Sequence, residues 1–333
     1  MKYALVTGGG GFLGSHIVRM LLDKGITVRS LQRSQKVNNH ADLKELDIEI
    51  IRGDISNRTT VINAAEGCDV IFHVAAKTGV WGDYDDYYRC NVTGTKNIIE
   101  ACQTHHIQKL IYTSSPSVVF TGNNEENINE STPYPDHFLT AYQKTKALAE
   151  IMVLEANCNT LATVALRPHL IWGPGDPHLV PRIIERARAG SLRLVGKKNN
   201  LVDSTYIENA ALAHILAAEA LAPNSDCAGK AYFISNNEPL PMAELINKIL
   251  AAANLPAATK TIPIQLAYTI GMIMEFVYKI FKLEDEPIMT RFVARQLSCA
   301  HWYDLTAAND DFSYQAKVTI DEGMERLKIS LNK

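Results

Sequence analysis

A short apolar run that breaks directly into glycines constrains this chain more than any other feature. Tyr3-Ala4-Leu5-Val6-Thr7 has the character of a buried strand; Gly8-Gly9-Gly10-Gly11-Phe12-Leu13-Gly14 follows, then an amphipathic helical pattern over Leu13–Asp23. Glycines at 9, 11 and 14 satisfy GxGxxG, and those at 8, 11 and 14 satisfy GxxGxxG. Either spacing gives a tight turn and a side-chain-free helix start. A pyrophosphate can then approach backbone N–H groups at the positive end of the helix dipole. Glycine runs alone are weak evidence, but the strand-turn-helix context makes Gly8, Gly11, Phe12, Leu13 and Gly14 candidate dinucleotide contacts.

The rest of the first half alternates β-branched runs with helical patterns. Strands are predicted at Tyr3–Thr7, Thr27–Leu31, Glu49–Ile51, Val70–Val74, Leu110–Thr113 and Thr163–Leu166, with helices such as Thr93–His105 and Ala141–Ala156 between many of them. That rhythm predicts an α/β fold, a doubly wound parallel sheet of the Rossmann type over residues 1–167. After Pro168 the turn cluster Gly173-Pro174-Gly175-Asp176-Pro177 marks a change. Residues 168–333 are expected to form a smaller, mostly helical lobe, with the chain rejoining the sheet at about 203–235 through a strand at Ala231–Ile234. The length, 333 residues, accommodates two such units. Polar Asn123–Ser131 reads as a surface loop.

Composition excludes several partners. Lys and Arg number 33 against 36 Asp and Glu, a net charge of -3, so nothing draws the chain to nucleic acid. The six cysteines form no CxxC pair and no Cys/His cluster; neither a metal site nor a disulfide framework is expected, and a reducing cytoplasm fits. The N-terminus turns glycine-rich too early for a secretory signal. The most apolar stretch, Ile262–Phe281, is interrupted by Pro263, Gln265, Gly271, Glu275 and Lys279, so it falls short of the roughly 18 apolar residues of a spanning helix. It reads as a core helix of the second lobe or, alternatively, as one that covers a greasy substrate or makes peripheral contact with lipid.

The second predicted strand selects the dinucleotide. A carboxylate at its end would bind both ribose hydroxyls of NAD, yet no acid stands between Asp23 and Asp42, and the strand runs into Gln32-Arg33-Ser34. NADP(H) is therefore expected, with Arg33 offering a planar fork to the 2′-phosphate. Asp54 and Ile55 after the third strand, and Ala75, Ala76 and Lys77 after the fourth, fall where the sheet edge would meet adenine and ribose. Farther on, Tyr142 and Lys146 stand at i and i+4, a phenol and an ammonium on one helix face. Such a pair can perform acid-base chemistry at a carbonyl, the lysine favouring the phenolate. The spacing is common by chance, and Tyr278/Lys282 repeats it. Only Tyr142 follows a strand ending in hydroxyls, Tyr112-Thr113-Ser114-Ser115.

Taken together, Thr7–Gly14, Gly53-Asp54, His73–Ala76, Asn91-Val92-Thr93-Gly94-Thr95, Tyr112–Ser115, Tyr142–Lys146, Arg167-Pro168, Gly173-Pro174-Gly175 and Asp311-Phe312-Ser313-Tyr314 resemble the extended short-chain dehydrogenase/reductase superfamily over nearly the whole chain. The resemblance implies that Ser115 hydrogen-bonds the reacting carbonyl and Tyr142 is the acid/base. It implies that Lys146 holds the ribose and acidifies the phenol, and that Pro168 touches the cofactor. Sugar-nucleotide epimerases of the superfamily carry an arginine where Val202 stands, and dehydratases an Asp-Glu pair where Pro116-Ser117 stands. Ketone or alcohol redox remains. The Tyr-Thr-Ser-Ser run and the apolar stretch resemble the 3β-hydroxysteroid dehydrogenase branch.

Within that branch, Trp81–Tyr84, Leu161–Pro181, Leu192–Gly196 and Ala231–Met242 resemble a bacterial group that reduces 2-alkyl-3-oxoalkanoic acids in long-chain olefin biosynthesis. The implied substrate is an apolar small molecule, with Trp81, Tyr84, Tyr88 and Ser117 as candidate contacts. A 3β-hydroxysteroid or sterol dehydrogenase is the nearest alternative. A non-catalytic NADP sensor is the alternative of another class, and Tyr142, Lys146 and Ser115 argue against it. Self-association, or a complex with enzymes of the same pathway, is left open by the sequence.

Overall fold

The computed structural model describes residues 1–33, 46–196, 199–283 and 285–332. Seven parallel strands form the central sheet: β1 (Tyr3–Thr7), β2 (Thr27–Gln32), β3 (Glu49–Arg52), β4 (Val70–His73), β5 (Lys109–Thr113), β6 (Ala162–Pro168) and β7 (Lys230–Ile234). Their spatial order is β7-β6-β5-β4-β1-β2-β3. Strand order reverses between β1 and β4, which leaves a crevice at their carboxyl ends, the usual place for a ligand in such sheets. Interior strands are mostly apolar because helices cover both faces: β4 reads Val-Ile-Phe-His, every residue buried. One face is covered by α1 (Phe12–Asp23) and α6 (Ile207–Ala220), the other by α2 (Arg58–Ala65), α3 (Gly94–Thr104) and α4 (Ala141–Glu155).

The second lobe holds α5 (Leu179–Arg188), α7 (Met242–Ala252), α8 (Ile264–Ile280) and α9 (Arg291–Ser298). It is laced by short strands that the sequence did not announce. Glu125–Ile128, read as part of a surface loop, pairs in parallel with His301–Tyr303 across the chain. The reason is long-range: Glu125 donates its N–H to the Ala300 carbonyl at 2.8 Å and buries its side chain, although its neighbours are polar.

The apolar stretch is not a core helix. Ala267 and Gly271 are the buried residues of α8, whereas Phe276 is 65% and nearby Phe281 70% exposed. Gly271 explains the docking: a Cβ there would lie 2.6 Å from the Thr290 carbonyl carbon, so the helix rests on one narrow contact line and leaves a broad apolar face outward. Among the described residues no helix is long and apolar enough to cross a membrane.

Candidate active site

The glycine turn closes as its sequence requires. Gly8 has φ +71°, and its carbonyl accepts the Gly11 N–H at 2.9 Å. A Cβ on Gly14 would lie 2.2 Å from the Gly8 carbonyl oxygen, and one on Gly8 would lie 3.1 Å from the Ala75 backbone. No other residue type fits that cradle. Gly11 caps α1, the first turn of Phe12, Leu13 and Gly14 carries no acidic residue, and its leading N–H groups have no intrahelical acceptor. This is the surface that a pyrophosphate needs, so the residues present fit a dinucleotide.

Behind the turn a chain of hydrogen bonds fixes the β4 loop. Thr95 donates to the Asn91 carbonyl at 2.6 Å, so its oxygen accepts from His73 Nε2 at 2.9 Å. His73 Nδ1 then accepts from the Thr7 hydroxyl at 2.9 Å, whose oxygen receives the N–H groups of Val74 and Ala75, each at 3.1 Å. Burial, with Lys146 assisting, pushes the His73 imidazole down to about 3, which keeps it neutral and preserves this direction of donation. Asn91, turned inward by the π-helical segment Tyr88–Thr93, accepts the Lys77 N–H at 2.8 Å and donates to the Lys77 carbonyl and Thr145, each at 3.1 Å. Ala75, Ala76 and Lys77 are thereby clamped at the crevice.

At the outer end of β2, Arg33 is exposed and its carbonyl accepts from Arg52 Nε at 3.3 Å; Ser34 lies outside the described residues. Asp54 accepts the Ser56 N–H at 2.8 Å; burial raises its carboxyl, but the bonds from Ser56 and the nearby Arg33 charge outweigh that and hold it below the usual range. Ile55 is buried against Gly94, where a Cβ would stand 2.7 Å from its Cδ1. Pro168 ends β6, buried, at the same sheet edge.

Ser115, Tyr142 and Lys146 come together where β5 meets α4. Ser115 Oγ accepts twice from Ser117, from the N–H at 3.2 Å and the hydroxyl at 2.9 Å, and its own hydrogen is left for Tyr142. Ser117 therefore backs the serine, which is how the structure places it. Tyr142 is enclosed: burial raises its phenol above the ordinary value, partly offset by the bond from Ser115. The Lys146 ammonium donates to the Thr113 carbonyl at 2.6 Å and lies 4.1 Å from the Tyr112 ring centroid. Burial pushes Lys146 itself down to about 7 against the pull of Glu150 and Cys90.

Two cavities open beside this end. The larger, about 660 Å³, takes in Val80, Trp81, Tyr87, Ala141, Met272 and Phe276. Tyr87 packs edge-on against Tyr142 with ring centroids 6.4 Å apart. Trp81 also donates to the Leu283 carbonyl at 3.3 Å. Tyr84 and Tyr88 are 37% and 42% exposed and pack on each other, four residues apart on the outer helix face; Tyr87 is the aromatic that faces inward.

Sequence reasoning missed Tyr87 and two positioning side chains. Gln143, fully buried, closes a capping box with Thr140 and donates to the carbonyls of Ser117 and Phe120 at 2.9 and 3.0 Å, locking α4 to the serine turn. The Thr140-x-x-Gln143 spacing was a readable signal for it. His214 Nδ1 donates to the Ala210 carbonyl at 2.7 Å, so Nε2 accepts from Thr113 at 2.8 Å. Nothing local in the sequence links His214 to β5.

Comparison with known proteins agrees with this geometry. The family model described as 3-beta hydroxysteroid dehydrogenase/isomerase matches residues 5–264. The chain is 51% identical to a 2-alkyl-3-oxoalkanoate reductase of Shewanella oneidensis, over 99% of this chain and 87% of that protein. It is also 51% identical to a Stenotrophomonas maltophilia protein of the same name, over 98% of both. Identity to the mouse sterol-4-alpha-carboxylate 3-dehydrogenase, decarboxylating, is 36%, over 98% of this chain and 90% of that one. Among solved structures, the Bordetella bronchiseptica enzyme WbmH in complex with NAD+ superposes with a TM-score of 0.77 at 17% identity, covering 100% of this chain and 99% of that chain; it shares the fold. The chain belongs to the 3-beta hydroxysteroid dehydrogenase/isomerase family of oxidoreductases.

Proposed function

We propose that this protein uses NADPH to reduce the 3-keto group of a 2-alkyl-3-oxoalkanoic acid to the 3-hydroxy acid, reversibly, in long-chain olefin biosynthesis. What carries the reading is 51% identity to two reductases so named, against 36% to a sterol dehydrogenase. The apolar part of the larger cavity, Val80, Trp81, Met272 and Phe276, supports it, with Glu275, Lys279, Arg291 and Arg295 completing the lining. When bound, the dinucleotide supplies a hydride to the carbonyl carbon. With substrate in place, Ser115 turns its one hydrogen from Tyr142 to the ketone oxygen, both of its acceptor positions being used by Ser117. Burial keeps the Tyr142 phenol protonated at neutral pH, and it gives that proton to the oxygen as the C–O double bond becomes single. Lys146 would hold the ribose, reaching it from its seat on the Thr113 carbonyl.

The NADP preference rests on the missing acid between Asp23 and Asp42 and on the exposed Arg33 beside the turn. The same reading sets the enzyme in the cytoplasm, where its six cysteines would stay reduced. The test supplies NADPH deuterated at the transferred position and a synthetic 2-alkyl-3-oxo acid. Mass spectrometry should find a 3-hydroxy acid with one deuterium at C3. Recovery of only the unreduced acid and its decarboxylated ketone would reject the reading.

A further inference from the structure

The second cavity, about 250 Å³, lies between α5, α7 and α9, with walls that include Leu170, Ile183, Leu194, Leu245 and Leu297. Its charged groups are at the rim: Arg182 pairs with Glu286 at 3.1 Å, and Arg186 donates to the Ile288 carbonyl at 2.6 Å. Helix α9 is the partition between the two cavities. Val293, Gln296 and Leu297 face the smaller one, whereas Phe292 and Arg295 face the larger, as the spacing of helical faces requires. Only past the start of this partition do the walls share a residue, Val80, which lines both cavities. Val80 belongs to the loop that also supplies the clamped Ala75–Lys77 segment and Trp81, and Leu170 carries the smaller cavity to within two residues of Pro168. The larger cavity thus reaches Ala141 and Tyr87, which adjoin Tyr142, and the smaller one joins it at Val80.

Resting on the reading above, we propose that the two cavities sort the two alkyl chains of a branched substrate, one chain on each side of α9, with the branch carbon at Val80. A single-chain substrate would fill one side only. A flat polycyclic one would have to pass the partition, which the fold holds in place through the Thr290 cap on Val293 and the Arg291 pair with Glu275 at 2.6 Å.

The experiment measures NADP+ reduction with two series of 2-alkyl-3-hydroxyalkanoates, one lengthening the C2 chain and one the C3 tail. In the unaltered protein kcat/KM should climb in both, by up to about fourfold per methylene until each cavity is full. Ala243→Phe plugs the smaller cavity from α7, and Met272→Trp the larger from α8. Each should flatten the climb in one series and spare the other, and the two variants should flatten different series. NADPH affinity reports whether each variant is folded; should Ala243→Phe lose it, Leu192→Trp plugs the same cavity from a loop. Both plugs flattening the same series, or neither flattening any, would overturn the proposal. No turnover of either series by the unaltered protein would instead overturn the functional reading beneath it.

Discussion

Tyr142 and Tyr278 each stand four residues before a lysine, and their surroundings alone tell them apart. Tyr142 is tied to Ser115 in the crevice, whereas Tyr278 packs edge-on against Trp81 at 6.0 Å and is partly exposed on α8. Tyr142→Phe should lower turnover by about 10²–10⁴-fold, the usual worth of a positioned acid, while NADPH binding measured by fluorescence titration persists. Tyr278→Phe should stay near the unaltered rate; an equal loss in both variants would remove the assignment. The residues of this pair and of the glycine turn were legible because their chemistry is written in short spacings. What Lys146 does was not: spacing put it on the face of Tyr142, but its long side chain reaches the Thr113 carbonyl, which belongs to another strand. Tyr87 was not legible either, since neighbouring aromatics on one helix give no local sign of which face is inward.

At the scale of elements, the strands that read correctly are those of the central sheet, from the fully buried β4 to the half-exposed edge strand β3. The β2 end carries the cofactor choice. Arg33→Ala should weaken NADPH by about tenfold or more, roughly the 1.5–3 kcal/mol of a charge-assisted bond, and leave NADH nearly unchanged. Isothermal titration of both cofactors checks this, and equal affinity of the unaltered protein for the two would contradict it. The strand Glu125–Ile128 escaped because its pairing depends on Ala300 and His301, far along the chain. It brings Glu125 into the interior, where burial, against the bond from the Thr121 N–H, pushes the carboxyl up to about 7. Between the unfolded chain's value of 4.5 and about 7 the folded state holds the extra proton, so stability falls as pH rises through this window. The loss is up to about 3 kcal/mol. Glu125→Gln should flatten that slope in urea melts at pH 5 and pH 8, and an unchanged slope would show that the carboxyl titrates normally. Helix α8 misled in another way: its high apolar content suggests a core, yet it docks along Ala267 and Gly271 and leaves Phe276, Ile280 and other apolar residues exposed.

For the molecule as a whole, alternation of strand and helix was enough to predict the parallel sheet. The cavities were not legible, because their walls gather Val80, Leu170, α5, α7 and α9 from four distant parts of the chain. Those cavities, together with the Ser115-Tyr142-Lys146 site, carry the account's central claim: an oxidoreductase for a two-chain fatty acid. The most direct test compares kcat/KM for NADP+ reduction with a long 2-alkyl-3-hydroxyalkanoate, a 3β-hydroxysterol and a UDP-sugar under one set of conditions. The account predicts that the two-chain acid is turned over with at least about a hundredfold advantage over the sterol, as several buried methylenes supply, and that the UDP-sugar is inert. A sterol turned over faster than the acid, or any turnover of the UDP-sugar, would contradict it.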